Sequence, residues 1–130
     1  MKKLTISLLS TSLVLLMASG SIEAHHSFPA TYIVDQKVQI EGQVVQFLFR
    51  NPHSFIHVMA PDPEGNMQRW AIEWGGGGAL GRDAVTRETL KPGDKVIVTG
   101  NPGRNAADHR IRLNSIKRPS DGWGWSGSFE

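Results

Sequence analysis

The sequence predicts an all-β fold, a five-stranded antiparallel barrel with a short helix between strands 3 and 4. Apolar and polar residues alternate in five runs between Lys37 and Arg118, which is the pattern of half-buried strands. The first run changes phase at Val44 and Val45, and such a change indicates a bulge in a long strand that curves around a small barrel. A sandwich would need about seven short strands, so the order of elements favours an OB-like barrel.

The first three strands are separated by clear interruptions. Strand 1 covers Lys37–Phe49 and ends before an Asn-Pro pair, and strand 2 covers His53–Ala60. Residues 61–66 are rich in Pro, Asp, Gly and Asn, which are the residues that form tight turns. Strand 3, Met67–Trp74, is therefore expected to be the antiparallel hairpin partner of strand 2.

The second half of the domain contains the helix and two strands. The glycine-rich residues 75–78 lead into a segment that predicts a short helix and an irregular turn ending near Leu90. A Lys-Pro-Gly-Asp turn then precedes strand 4, Lys95–Gly100, and a loop separates it from strand 5, Arg110–Arg118. The inward positions of all five strands predict the core: Val38, Ile40, Val44, Ile56, Val58, Ile72, Val96, Val98, Ile111 and Leu113.

The start of the chain has the three parts of a secretory signal, which we assign to residues 1–24. A pair of lysines, an apolar run and a small-residue region ending at Ala24 follow one another. The run is interrupted by Ser and Thr and is too short for a stable anchor, which needs about 20 mostly apolar residues. We expect cleavage after Ala24 and a periplasmic location; because Ile22 is unusual so close to the cut, Ala18 or Gly20 is the alternative.

Cleavage would leave residues 25–130, enough for a single domain with one core. Residues 25–118 form the expected barrel, and residues 119–130 form a tail of Gly, Ser and Trp that we expect to be flexible. The two tryptophans at alternate positions in this tail leave open an exposed edge or a partner surface. Of the 14 basic and 12 acidic residues, cleavage removes two lysines and one glutamate, so the mature net charge is +1.

The charge and the cysteine content exclude several classes of function. An exported, nearly neutral chain does not have the charge excess expected of a nucleic-acid-binding protein. The sequence has no cysteine, which excludes disulfides, thiolate metal sites and a cysteine nucleophile. No serine lies in a nucleophile elbow and no carboxylates are paired for acid and base chemistry, so we do not predict an enzyme.

Several short motifs together resemble a known family. They are His25, His26, Ser27 and Phe28; Asn51, Pro52 and His53; Trp70 with Glu73; and Leu90, Lys91, Pro92, Gly93 and Asp94. On these residues the sequence resembles the bacterial exported family catalogued as domain of unknown function 6152, over roughly residues 25–117. The resemblance implies an exported small β-barrel in which His25, His26 and His53 match the family's motifs, and it implies no biochemical role.

The three motif histidines predict a copper site. If cleavage follows Ala24, the free amine and the ring of His25 can chelate one metal ion, with His53 or His26 as the third nitrogen ligand. Three nitrogens in a roughly planar arrangement suit Cu(II), which also leads the divalent affinity order. The alternatives are that His25 and His26 form a solvated terminus, and that the His53 ring has a structural role and bonds a loop carbonyl.

Strand 2 also predicts a ligand-binding face. His53, Phe55, His57 and Met59 share the side that points away from the core, and Glu73 of strand 3 should face the same way. Glu73 is expected either to orient an imidazole or to be a surface carboxylate paired with Arg69. The second functional hypothesis is a metal-free module that uses Phe55, His57 and Glu73 to bind a peptide, a glycan or a periplasmic partner protein.

Two other features are assigned no function. Gly76, Gly78 and Gly81 have the spacing of a dinucleotide-binding fingerprint. That motif requires a parallel strand-helix-strand unit, which this chain does not predict, so the glycines indicate a tight bend. His109 lies in a polar loop and is expected to be a solvated surface residue.

Overall fold

A computed structural model describes residues 27–129 of the chain. It has six strands, two α-helices and one 3-10 helix. In chain order they are α1 (Ser27–Thr31), β1 (Val38–Leu48), β2 (Ser54–Pro61), β3 (Met67–Trp74), α2 (Gly77–Arg82), β4 (Lys95–Pro102), the 3-10 helix (Ala106–Asp108), β5 (Arg110–Arg118) and β6 (Trp123–Ser126). Neither α-helix of this part of the chain is long and apolar enough to span a bilayer.

Five of the strands close into a barrel. β1 pairs with β2 and β4, β2 pairs with β3, and β4 pairs with β5, all antiparallel. β3 and β5 run parallel and close the cylinder, so the prediction of a purely antiparallel barrel is wrong in this one pairing. Parallel neighbours need a long crossover connection, and the segment that contains α2 and β4 provides it.

The predicted bulge in β1 is confirmed. The register against β2 shifts between Val44 and Gln46, where the strand leaves β4. Val44 completes its hydrogen bonds with the turn before β4: its N–H donates to the Asp94 carbonyl at 2.8 Å and its carbonyl accepts from the Gly93 N–H at 2.8 Å. Gly42 precedes this bend, and a Cβ atom there would lie 2.1 Å from the Met59 carbonyl oxygen, so only glycine fits.

The barrel interior matches the predicted core closely. All predicted inward residues are buried except Val38, which is partly buried and packs against the core. The core also includes buried apolar residues from outside the predicted set. They are Tyr32, Ala60, Trp70, Trp74, Leu80, Val85, Leu90, Ile116 and Phe129.

The C-terminal tail does not behave as the sequence predicted. Residues 123–126 form β6, which pairs antiparallel with β5, so the prediction of a flexible tail is wrong for this segment. The Trp125 ring lies 5.1 Å from the Trp74 ring, and its indole N–H donates to Asp83 at 2.9 Å. Phe129 is 8% exposed. The alternation of the two tryptophans indicates β6, but the high content of Gly and Ser in this segment led to the prediction of a flexible tail.

The segment before β1 lies across one end of the barrel. Tyr32 follows α1, is completely buried and forms a β-bridge with Gly103. Arg104 fastens the same segment, since its guanidinium donates to the Pro29 carbonyl at 2.6 Å and its N–H to the Thr31 carbonyl at 2.9 Å. This arrangement places Phe28 and Tyr32 beside the start of β2 and the end of β3.

Candidate functional site

His53 lies in a tight corner that immediately precedes β2. The glycine-rich segment after β3 packs directly against this corner: Ser54 donates its N–H to Gly75 at 3.1 Å, and Gly77 donates its N–H to Arg50 at 3.1 Å. A Cβ atom on Gly76 would lie 2.5 Å from the Pro52 carbonyl oxygen. The glycines therefore allow close backbone contact, and the bend they form fixes the start of β2.

A buried carboxylate holds the His53 ring. Glu73 is 7% exposed, and its Oε1 lies 2.7 Å from Nδ1 of His53. Its Oε2 accepts the Tyr32 hydroxyl hydrogen and lies 3.2 Å from Nη2 of Arg110. Both oxygens of Glu73 are thus occupied, which is what a buried charge requires.

The alternative role for Glu73, a surface carboxylate paired with Arg69, is wrong. Arg69 instead donates its Nε hydrogen to Nδ1 of His57 at 3.3 Å and an Nη2 hydrogen to Gln46 at 2.9 Å. Glu73 is buried because Tyr32 and Arg110 reach it from distant parts of the chain. The contact with the imidazole is instead the one that a ring-orienting carboxylate would make.

Tyr32 is kept in its neutral form. Burial, followed by the neighbouring Glu73 carboxylate, raises the pKa of the Tyr32 phenol above its ordinary value of 10.0. The hydroxyl therefore stays protonated at neutral pH and serves as a donor to Oε2. Arg110 supplies a positive charge to the same oxygen, so Glu73 has both a neutral and a charged donor on the side away from His53.

The hydrogen bond to Glu73 determines the tautomer of the neutral His53 ring. An ionised carboxylate accepts hydrogen bonds but cannot donate them, so Nδ1 carries the hydrogen and Nε2 carries the lone pair. The His53 side chain is 25% exposed. One ring nitrogen is thus used for positioning, while the other has the electronic state of a metal ligand.

Two phenylalanines contact the His53 ring, and an arginine contacts both phenylalanines. Phe28 stacks on it with ring centroids 5.5 Å apart and planes inclined by 22°, and Phe129 contacts it edge-on at 5.8 Å. The Arg112 guanidinium lies 4.0 Å from the Phe28 ring centroid and donates to the Phe129 carbonyl. The site therefore combines residues from both ends of the described chain with the barrel.

Phe55 and His57, two of the three residues predicted for the ligand face, form a separate group along β2. Both are half-buried and point away from the core. Burial lowers the pKa of His57 from its ordinary value of 6.5, and the positive charges of Arg69 and Arg50 lower it further. Glu73, the third predicted residue of this face, is opposite Phe55 in the strand register, but its side chain serves the His53 site.

The predicted metal ligands are only partly within the described residues. His53 is described, whereas His25 and His26 lie outside residues 27–129. Within that range no group of three or more His, Cys, Asp or Glu side chains is arranged to hold a metal ion. A metal ion at His53 would therefore need ligands from outside the described residues. Phe28, two positions after His26, stacks on the His53 ring.

Sequence analysis did not identify Tyr32, Arg110 and Phe129 as parts of the site. Tyr32 and Phe129 lie outside the five predicted strands, and nothing in their local pattern indicates that they meet at Glu73 and His53. For Arg110 the sequence offers one indication, its position at the start of predicted strand 5. His109, expected to be solvated, is half-buried with its ring 5.2 Å from that of Trp70.

Comparison with known proteins gives a family but no activity. The model of a family described as a family of unknown function (DUF6152) matches residues 13–112, which is most of the chain and includes every residue of the His53 site except Phe129. Among curated proteins, no match to this chain was found.

Proposed function

This chain belongs to the family of unknown function DUF6152, which supplies no activity, and we propose from its site that the protein is an exported small β-barrel that binds one Cu(II) ion. The ligands in this proposal are the amine and ring of His25 at the mature N-terminus and Nε2 of His53, with His26 as the second choice for the third nitrogen. Export to the periplasm is part of the proposal, because the amine exists only after cleavage behind Ala24.

The observation that carries the proposal is the hydrogen bond between Glu73 and Nδ1 of His53. A histidine that binds a metal through one ring nitrogen usually donates the N–H of its other ring nitrogen to a carboxylate or carbonyl. This hydrogen bond fixes the ring and raises the basicity of the ligating nitrogen. Glu73 is at 2.7 Å from Nδ1 and is itself held by Tyr32 and Arg110. This arrangement is more than a structural histidine needs, since a loop carbonyl would suffice to satisfy Nδ1.

The position of Phe28 supports the participation of the N-terminus. Its ring stacks on His53 at 5.5 Å, and only two residues separate it from His25. Three residue steps span at most about 11 Å. A mature chain starting at His25 would therefore begin within reach of the His53 ring.

The donor set favours copper over the other common ions. An amine and two imidazoles are nitrogen donors, and the proposed site has no thiolate and no metal-binding carboxylate. Such donors suit Cu(II), which binds most tightly in the divalent series, and disfavour Mg²⁺ and Ca²⁺, which prefer oxygen. The chelate formed within one residue also lowers the entropic cost of binding.

The test uses the processed protein that starts at His25. We expect one Cu(II) per chain in a titration against a competing chelator, with nitrogen hyperfine structure in the electron paramagnetic resonance spectrum. An alanine added before His25 should weaken binding by more than a hundredfold, and His53→Gln should weaken it by at least tenfold. His109→Gln is the matched control and should have no effect.

Specific outcomes would contradict the proposal. If the added alanine leaves the affinity unchanged, the amine is not a ligand. If His53→Gln behaves like His109→Gln while His26→Gln weakens binding, His26 replaces His53 as the third ligand. Sequencing of the mature N-terminus from the bacterial periplasm tests the export step independently, and a start other than His25 would remove the chelate.

A further inference from the structure

The outer face of β2 carries a group of cationic and apolar side chains, of which the copper proposal uses only Arg110. We call it the arginine face and define it by Arg50, Phe55, His57, Arg69 and Arg110. Arg50 and Arg110 both lie over the Phe55 ring, with guanidinium carbons 5.4 and 5.9 Å from its centroid. Arg69 crosses from β3 and bonds His57 at 3.3 Å.

The arginine face has an excess of positive charge. Among residues 27–129, the carboxylate within ion-pair distance of these three arginines is Glu73, next to Arg110, and it is already occupied by His53 and Tyr32. In the same part of the chain, the Arg50 guanidinium makes an aromatic contact but no hydrogen bond. Burial lowers the pKa of the neighbouring His57, and the positive charges of Arg69 and Arg50 lower it further.

We propose that the arginine face binds an acidic, extended peptide segment of a partner protein through carboxylates at alternate positions. Phe55 and His57 are two residues apart on the same side of a strand, which corresponds to about 6.6 Å. Side chains at alternate positions of an extended peptide have the same spacing. One carboxylate would bind between Arg50 and Arg110, and the next would bind at Arg69.

The geometry of β2 determines how such a peptide is recognised. β2 is paired on both sides, with β1 and with β3, so a peptide cannot join the sheet at this strand as an added β-strand. Recognition must come from side chains. Arginine suits this role because its planar fork binds a carboxylate through two hydrogen bonds, and the half-buried Phe55 ring supports the guanidinium groups of Arg50 and Arg110.

This inference does not rest on copper binding, and the test is done on the processed protein with a strong chelator present. The probe is a fluorescein-labelled peptide of alternating Glu and Thr, followed by fluorescence anisotropy at low and high salt. We expect binding that weakens as salt rises. Arg50→Gln and Arg69→Gln should each weaken binding about fivefold, the equivalent of about 1 kcal/mol for an exposed ion pair.

Arg87→Gln is the matched control. Arg87 is also exposed and also lies over an aromatic ring, at 5.9 Å from the Phe49 centroid, so this variant changes the net charge and a cation–π contact equally but away from the arginine face. It should leave the affinity unchanged. An equal loss in Arg87→Gln and Arg50→Gln would mean that only the net charge matters, and the proposal would fail.

A second peptide tests the spacing. It has the same composition but carries its glutamates in adjacent pairs, so that neighbouring carboxylates point to opposite sides of an extended chain. We expect it to bind several-fold more weakly than the alternating peptide. Equal binding of the two peptides, or no binding of either, would overturn the assignment of an acidic peptide. It would also be overturned if a polyuronate displaced the alternating peptide at a lower carboxylate concentration than the unlabelled peptide itself requires.

Discussion

Replacement of Glu73 by glutamine changes one atom type in the centre of the site and leaves its shape intact. The carboxylate oxygen near Tyr32 and Arg110 receives two donors, so the amide must place its oxygen there, because an NH₂ group would face the Arg110 donor. The NH₂ group is then directed at Nδ1 of His53, 2.7 Å away in the parent protein. His53 can satisfy it only by presenting a lone pair at Nδ1 and moving its hydrogen to Nε2.

The expected loss of stability follows from the same contacts. Glu73→Gln keeps three hydrogen bonds, and the bond from Arg110 keeps its charged donor. The bonds with Tyr32 and His53 change from charge-assisted bonds, worth about 1.5–3 kcal/mol each, to neutral ones of about 0.5–1.5 kcal/mol. The Arg110 contact is partly exposed, with 34% of its side chain accessible, and is discounted for solvent screening. The total loss should be about 2–3 kcal/mol, a large part of a typical free energy of unfolding of about 5–15 kcal/mol.

Two measurements test this reasoning. Urea denaturation gives the change in the free energy of unfolding, and long-range ¹H–¹⁵N correlation spectra of the imidazole report which nitrogen of His53 carries the hydrogen. Glu64→Gln, in an exposed turn, is the matched control and should change neither. A Glu73→Gln protein with unchanged stability and with the hydrogen still on Nδ1 would refute the assigned role of Glu73.

Three further predictions follow from the core, from His57 and from the proposed copper site. Val98→Asp should unfold the domain, because Val98 is completely buried and an unpaired buried charge costs several kcal/mol; a folded variant by circular dichroism would contradict the face assignment of β4. The pKa of His57, measured by NMR, should lie below 6.5 and should rise in Arg69→Gln. A pKa below 6.5 in the folded protein means that the unfolded chain binds more protons at acidic pH. The contribution of His57 to stability is therefore complete above about pH 6.5 and is lost as the pH falls through the folded-state pKa. His57→Gln should reduce this pH dependence. Copper affinity should decrease from about pH 7 to pH 5, because protons compete with the metal for nitrogen ligands, and free α-amines and imidazoles ordinarily take up protons at about pH 7.7–8 and 6.5. A pH-independent affinity would contradict nitrogen ligation.

Local sequence patterns predicted the strands well but not the closure of the barrel. The bounds of β2, β3 and β5 follow from alternation and from turn residues, both of which act over a few positions, and the phase change at Val44 predicted the bulge. The parallel contact between β3 and β5 joins residues about 40 positions apart, and no local signal encodes it. β6 was missed because its glycines and serines outweighed the alternation of Trp123 and Trp125.

In the site, too, local sequence patterns predicted some features, whereas contacts between distant parts of the chain could not be predicted. The hairpin register placed Glu73 and the His53 row on one side of the sheet, which the structure confirms through the contact between these two residues. The burial of Glu73 could not be predicted, because it depends on Tyr32 from the N-terminal segment and on Arg110 from β5. Phe129 likewise reaches His53 from the far end of the described chain. Contacts of this kind arise only when the barrel has closed.

The energetics of Glu73 argue that this network is kept for more than stability. A buried carboxylate with its partners rarely stabilises a fold more than a well-packed apolar group of the same size, because desolvation offsets much of the electrostatic gain. The barrel already has a continuous apolar core, so an apolar residue at position 73 would be the simpler way to fill this end of the structure. An ionised, fully hydrogen-bonded carboxylate offers one property that such a residue cannot: it holds His53 in a single orientation and a single tautomer. This fixed, partly exposed ring is the feature that the proposed metal ligation requires.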